Sequence, residues 1–133
     1  YIPNDWVGVD GCTGECRPRL VQFVNSVNIT LKGSFGLLDS PDWTSHYLNC
    51  QNVLIDGIHI WNDRLWPNGD GIDPENTQNV IIRNVNINTG DDSICPKSSN
   101  PDLPTSNVLV ENAFISSHSS AIKFGSSTAG KMY

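Results

Sequence analysis

The sequence predicts an all-β chain coiled as a parallel β-helix, and three observations carry that expectation. One short template recurs four times at nearly constant spacing. Within each copy apolar and polar residues alternate strictly, which is the period of a strand and not of a helix. No stretch shows an apolar face at i, i+3, i+4, i+7, so very little helix is expected.

The copies read, in order, Ser26-Val27-Asn28-Ile29-Thr30-Leu31, Asn52-Val53-Leu54-Ile55-Asp56-Gly57-Ile58-His59-Ile60, Asn79-Val80-Ile81-Ile82-Arg83-Asn84-Val85-Asn86-Ile87 and Asn107-Val108-Leu109-Val110-Glu111-Asn112-Ala113-Phe114-Ile115. Aligned on Val27, Val53, Val80 and Val108, they stand 26, 27 and 28 residues apart. A second, shorter strand is expected in each unit, over 43–49, 69–75, 91–97 and 121–126. Such units bury their apolar face only against a neighbour, so they stack, at about 4.8 Å per turn. Val, Ile, Leu and Phe should point inward, and the intervening Asn, Thr, Asp and Arg outward. An antiparallel sandwich would want a hairpin turn every ~8–12 residues, and those signals are scarce. The expected organisation is a single β-helix segment over 1–133, irregular over 1–19 and stacked over 20–128, with four to five turns. Without an amphipathic capping helix at either end, it reads as a piece of a longer solenoid.

Bulk properties narrow the partners. The 133 residues carry 8 Lys and Arg against 14 Asp and Glu, a net charge of -6 with no basic stripe, which argues against nucleic acid. No apolar run approaches the ~20 residues of a membrane span. Of the four cysteines, Cys12 and Cys16 are close enough for a small disulfide loop around Gly14, while Cys50 and Cys95 follow strand-like stretches and read as buried thiols. One close pair is too little for a zinc site, so no metal is expected. The sequon Asn28-Ile29-Thr30 is compatible with an extracellular, secreted protein. A monomer is expected.

Two acidic clusters carry the chemistry: Asn68-Gly69-Asp70-Gly71-Ile72-Asp73 and Thr89-Gly90-Asp91-Asp92-Ser93-Ile94. Aligning the second strands on Ile72, Ile94 and Ile122 stacks Asp70 on Asp92, with Ser120 on the next turn and Asp91 beside the column. Two carboxylates one rung apart can hold and activate a water. A third, crowded by like charge, is expected to hold a proton more tightly. That division of labour fits inverting glycoside hydrolysis, with an acid on the leaving oxygen and a base behind the water. Asp73, followed by Pro74, reads as a turn residue. Lys97 and Lys123, near Ile94 and Ile122 on successive turns, are placed either to bind a sugar carboxylate or on a solvated face. Trp61, Arg64 and Trp66 lie in the loop before Asp70 and suit either sugar stacking or packing, and Trp43 reads as packing under a turn.

Residues 68–74, Asn-Gly-Asp-Gly-Ile-Asp-Pro, and 88–98, Asn-Thr-Gly-Asp-Asp-Ser-Ile-Cys-Pro-Lys-Ser, resemble the signatures of the polygalacturonase family, glycoside hydrolase family 28. Residues 17–23 and 40–46 also resemble segments of that family, so the likeness covers roughly 15–128. The resemblance implies a right-handed, pectin-lyase-like β-helix, single-displacement inversion on a pectin-type, uronic-acid-containing polysaccharide, and no cofactor. Carried over, it implies Asp91 as general acid and Asp70 and Asp92 as the pair that activates water; Asn68, Lys97, His118 and Lys123 stand beside them as candidate substrate-binding residues. Departures are visible. Gly69 stands where the family has Thr, and a family Gly-His-Gly is replaced by Ser116-Ser117-His118-Ser119-Ser120. His118 therefore either substitutes from a shifted loop or is simply solvated. The family's Arg-x-Lys is absent up to Tyr133, Ala121-Ile122-Lys123 being a turn early and lacking the Arg. Two other classes stay open: a polysaccharide lyase using calcium on the same architecture, and a non-catalytic carbohydrate-binding β-helix.

Overall fold

The computed structural model describes residues 17–133. The anticipated Cys12–Cys16 loop, with most of the expected irregular N-terminal part, lies outside them. Among the described residues there is no helix, and the strands are β1 (Val21–Val24), β2 (Val27–Lys32), β3 (Gly36–Leu38), β4 (Ser45–Leu48), β5 (Gln51–Asp56), β6 (His59–Trp61), β7 (Ile72–Glu75), β8 (Gln78–Thr89) and β9 (Ser106–Ser117). Every pairing between them is parallel. β1, β4 and β7 stack into one sheet; β2, β5, β8 and β9 stack into the other, which β3 and β6 join along the second half of β8. The chain is a parallel β-helix of about four turns.

Inside the coil, alternate residues of each rung meet their counterparts one turn away. Ile29, Val53, Val80 and Val108 form one such column, and Ile72, Ile94 and Ile122 another. Ile55, Ile58, Ile60, Ile72, Val80, Ile82, Ile87 and Ile94 are completely buried. Phe23 stacks on Tyr47 with ring centroids 5.6 Å apart, adding an aromatic rung to the same core.

The first copy of the repeat is displaced by two residues from the sequence alignment. Val27 pairs with Gln51 and is exposed, while Ile29 occupies the column that Val53 continues. The reason lies in asparagine. Asn52 Nδ2 donates to Asn28 Oδ1 at 3.0 Å, Asn79 to Asn52 at 3.0 Å and Asn107 to Asn79 at 3.0 Å, a ladder that fixes the rungs. These four residues also hold positive φ between 54° and 60°. Asn25, Asn49 and Asn76 do the same at a second bend, at 50°, 54° and 49°. At a third, Gly57 N bonds Arg83 O, aligning Gly33 and Gly57 with Asn84 and Asn112, all again at positive φ. Asparagine tolerates the left-handed region better than other residues with a Cβ, so it turns the coil while its amide bonds the next turn.

The second-strand column is thinner than expected. Residues 91–97 and 121–126 form single rungs rather than strands: Ile94 bridges both Ile72 and Ile122, and Lys97 bridges Glu75. Pro96 has no N–H to offer in the middle of the first of these segments. The register itself is as aligned, with Gly71 N on Asp92 O at 3.0 Å and Ser93 N on Ser120 O at 2.9 Å.

Candidate active site

Asp70, Asp91 and Asp92 come together where the coil enters the β1–β4–β7 sheet. They line a polar notch of about 120 Å³ with Trp43, Asn68, Cys95, Lys97, Lys123 and the serines at 126 and 127. Single oxygens of Asp70 and Asp92 and the Cys95 sulfur all lie within 4.8 Å of one another. The spacing comes from the backbone. Asp70 O accepts Thr44 N at 2.9 Å from the turn below, and Asp92 O accepts Gly71 N from the turn between.

The glycines of both motifs make room for this. A Cβ on Gly71 would lie 2.3 Å from Ser93 O, inside the rung that joins the two turns. One on Gly90 would lie 2.7 Å from Asp63 O and 2.9 Å from Trp66 O, where loop carbonyls converge.

Each carboxylate is held differently. Asp92 is nearly buried; its Oδ1 accepts Ser119 Oγ at 2.8 Å and its Oδ2 accepts Lys123 Nζ at 2.8 Å. Burial alone would raise its pKa, but the bonds from Lys123 and Ser119 and the lysine charge outweigh it and hold the carboxyl below the ordinary value. Asp70 is also nearly buried, and there burial wins: with the Asp91 charge adding to it, its carboxyl is raised despite Lys97 Nζ at 3.3 Å. Asp91 is half-buried, with Oδ1 accepting Asp92 N at 2.9 Å and its carbonyl accepting Thr89 Oγ1 and Ser117 Oγ, both at 2.7 Å. Two neighbouring carboxylates thus have their proton affinities pushed in opposite directions. Burial pushes the Cys95 thiol up to about 12, so it faces the notch as a neutral S–H.

Other residues land where the spacing did not anticipate them. Lys97 is not on a solvated face: it is 3% exposed, donates to Asp73, Asp70 and, at 3.5 Å, the Cys95 carbonyl, and lies 4.0 Å from the centroid of the Trp43 ring. Trp43 lines the notch rather than merely packing beneath a turn, and carries Arg19 at 4.6 Å on its ring as well. Asp73 is not in a turn. It is the second residue of β7, fully buried, and bonded to Lys97. Nothing in an Asp-Pro pair signals this; only knowing that Lys97 crosses from the next turn does.

Asn68 is exposed at the rim, with Oδ1 accepting Arg17 Nη2 at 2.6 Å. His118 is not brought to the carboxylates. It is exposed, its Nδ1 lies 2.8 Å from Arg64 O, and it is absent from the notch lining. Trp66 Nε1 donates to Pro41 O at 3.0 Å, a packing role, and Trp61 is exposed outside the notch. Cys50 and Cys95 are buried free thiols, as read.

With that geometry in place, comparison with known proteins decides the lineage. The model of glycosyl hydrolases family 28 matches residues 4–131. The chain belongs to this family. It is 33% identical over 121 residues to a probable polygalacturonase of Vitis vinifera, covering 86% of this chain and 24% of that protein. It is 34% identical over 119 residues to an endo-polygalacturonase of Pectobacterium carotovorum subsp. carotovorum, covering 85% and 28% respectively. A polygalacturonase of Cryptomeria japonica is 32% identical over 108 residues, covering 80% and 20%. The family 28 chain therefore spans between a fifth and under a third of the length of these relatives. No solved structure matches it significantly.

Proposed function

We propose that this chain carries the hydrolytic centre of an inverting glycosidase acting on a pectin-type, uronic-acid-containing polysaccharide. The observation that carries the reading is the convergence of Asp70, Asp91 and Asp92 on one notch, with oxygens of the stacked pair within 4.8 Å. A water between Asp70 and Asp92 has a carboxylate on either side to take its proton as it attacks the anomeric carbon. Asp91, the most exposed of the three, protonates the departing glycosidic oxygen from the opposite face. Asn68 at the rim and Lys123, whose side chain is 44% exposed, are the groups offered to the sugar and its carboxylate. The charge of Lys97 is spent on the carboxylates instead, and His118 lies outside the notch. The polygalacturonase names of the relatives support this substrate class.

The lyase alternative is disfavoured on electrostatic grounds. Calcium needs free carboxylate oxygens, and here Asp70 and Asp92 already accept from lysine ammonium groups. Secretion and a monomeric state belong to the same proposal; no helix of the described residues is long and apolar enough to cross a membrane.

The test is Asp91→Asn, measuring reducing-end release from homogalacturonan and rhamnogalacturonan. A fall of roughly 10²-fold or more is expected for loss of a general acid. An unchanged rate removes Asp91 from that role, and oligosaccharide binding without turnover by the unaltered protein would replace the enzyme with a binding module.

A further inference from the structure

Asp73 Oδ2 is completely buried and finds no hydrogen-bond donor. Its other oxygen accepts from Lys97 Nζ, which also reaches Asp70 Oδ2 at 3.3 Å. The three side chains are almost entirely shielded from water, at 0%, 4% and 6% exposure for Asp73, Lys97 and Asp70. Two carboxylates and one ammonium in such a place leave one negative charge unbalanced, which a buried site resolves by binding a proton. An orphaned acceptor next to a second carboxylate is also inconsistent with the rule that buried polar atoms are paired. One proton cures both defects. Lys97 Nζ reaches both carboxyls, so Asp70 and Asp73 share one ammonium, and two neighbouring carboxyls can bond to each other only when one of them carries a hydrogen.

We propose that Asp73 is a positioning residue that remains a neutral carboxylic acid in the resting protein, donating from Oδ2 to the Asp70 carboxylate while its Oδ1 accepts from Lys97. Asp73 rather than Asp70 keeps the proton because it has no route to solvent, whereas Asp70 faces the notch. The groups packed around Asp73 agree with this. Lys97 and Cys95 come from the turn above and His46 from the register position below. Lys97 supplies the only ion pair to it among the described residues, and Cys95 is a neutral thiol. His46 is already engaged with Gln22 and Glu75, each at 2.9 Å. Burial drives the Asp73 carboxyl well above the ordinary value against the pull of the Lys97 charge, and the Asp70 charge moves it in the same direction as burial. The consequence is an Asp70 whose anion is oriented by an O–H and an N–H at once, with the cluster electrically neutral.

The proposal rests on the hydrolase reading only in its kinetic arm. In the first arm, infrared spectra of the unaltered protein at neutral pH should contain a protonated-carboxyl C=O component that is lost in the difference spectrum against Asp73→Asn. No such band, or one whose intensity is undiminished by the substitution, overturns the proposal, and no substrate is involved. In the second arm, Asp73→Asn should hydrolyse polymer at close to the original rate with an unmoved pH profile. The amide offers an N–H to Asp70 and an oxygen to Lys97 in the same shape. Asp73→Ala should lose roughly ten-fold or more and shift its acidic limb to higher pH, because Asp70 loses a donor to its charged form. Equal loss in the two variants overturns the proposal. If Asp73→Asn does not fold, carbon-13 labelling of aspartate carboxyls in the unaltered protein answers alone: an Asp73 carbon resonating as carboxylate at neutral pH would refute it.

Discussion

Lys123 reaches down one turn to place its ammonium 2.8 Å from Asp92 Oδ2, so the most exposed cation of the notch is also the partner of the acid whose proton affinity is lowered. Removing that ammonium by Lys123→Met leaves burial less opposed, and the Asp92 pKa should rise. The acidic limb of kcat/KM should then move to higher pH, while KM for uronate polymer increases because the exposed charge is gone. Rate profiles between acidic and neutral pH check both, and an unmoved limb would detach Lys123 from Asp92.

A second prediction concerns stability. Glu75 Oε2 pairs with His46 Nε2 at 2.9 Å, and its other oxygen accepts from Ser99. The His46 bond, more than the opposing burial, holds the Glu75 carboxyl below its ordinary value. A depressed acid stabilises the fold fully above its unfolded pKa of about 4.3, and the contribution vanishes as pH falls through the lower folded value. Glu75→Gln should therefore be less stable than the parent near neutrality, and the gap should close below about pH 4. Urea midpoints across that range measure it.

Gly71→Ala should separate the turns that carry Asp70 and Asp92. Its Cβ would meet Ser93 O at 2.3 Å and Ile87 Cγ2 at 3.1 Å, and the first of these is backbone that cannot swing aside. A loss of about 1–3 kcal/mol is expected for such overpacking, with a further fall in rate of roughly 10²-fold if the stacked carboxylates shift by about 1 Å. Gly36→Ala is the control, since its Cβ would touch only the Leu38 side chain, at 3.3 Å. Thermal unfolding and reducing-end assays separate the two effects.

The asparagine ladder gives the fourth. Asn79 accepts from Asn107, donates to Asn52 and sits at φ 57°. Asn79→Gly keeps the backbone at ease and loses only the ladder, whereas Asn79→Ala loses the ladder and adds left-handed strain of about 1 kcal/mol or more. The expected order of unfolding midpoints is Asn above Gly above Ala; equal midpoints for Gly and Ala would show that the bend carries no strain.

Much of this was legible in the chain, because the coil repeats and its core alternates. Ile72, Ile94 and Ile122 stack as their spacing indicated, and that alignment alone brings Asp70 over Asp92. What the alternation could not show is which residue bends the backbone. Val27 looked equivalent to Val53, but the equivalence belongs to Asn28 and Asn52, whose shared positive φ has no signature in hydrophobicity. Long side chains were the other blind spot. Lys97 and Trp43 cross between turns and roof the outer face of β7, converting Asp73 from an apparent turn residue into a buried acid. Reach of that kind depends on rotamers and neighbours, not on position along the chain.

The hydrogen bond from Gly71 to Asp92 is one ordinary rung among many, and the loop over residues 99–104 hangs from a different corner of the coil. Peripheral segments of this sort are free to lengthen, shorten or change their surface without altering the pitch that separates the paired acids. The distance between the acids and the surface of such a loop are accordingly governed by separate parts of one scaffold.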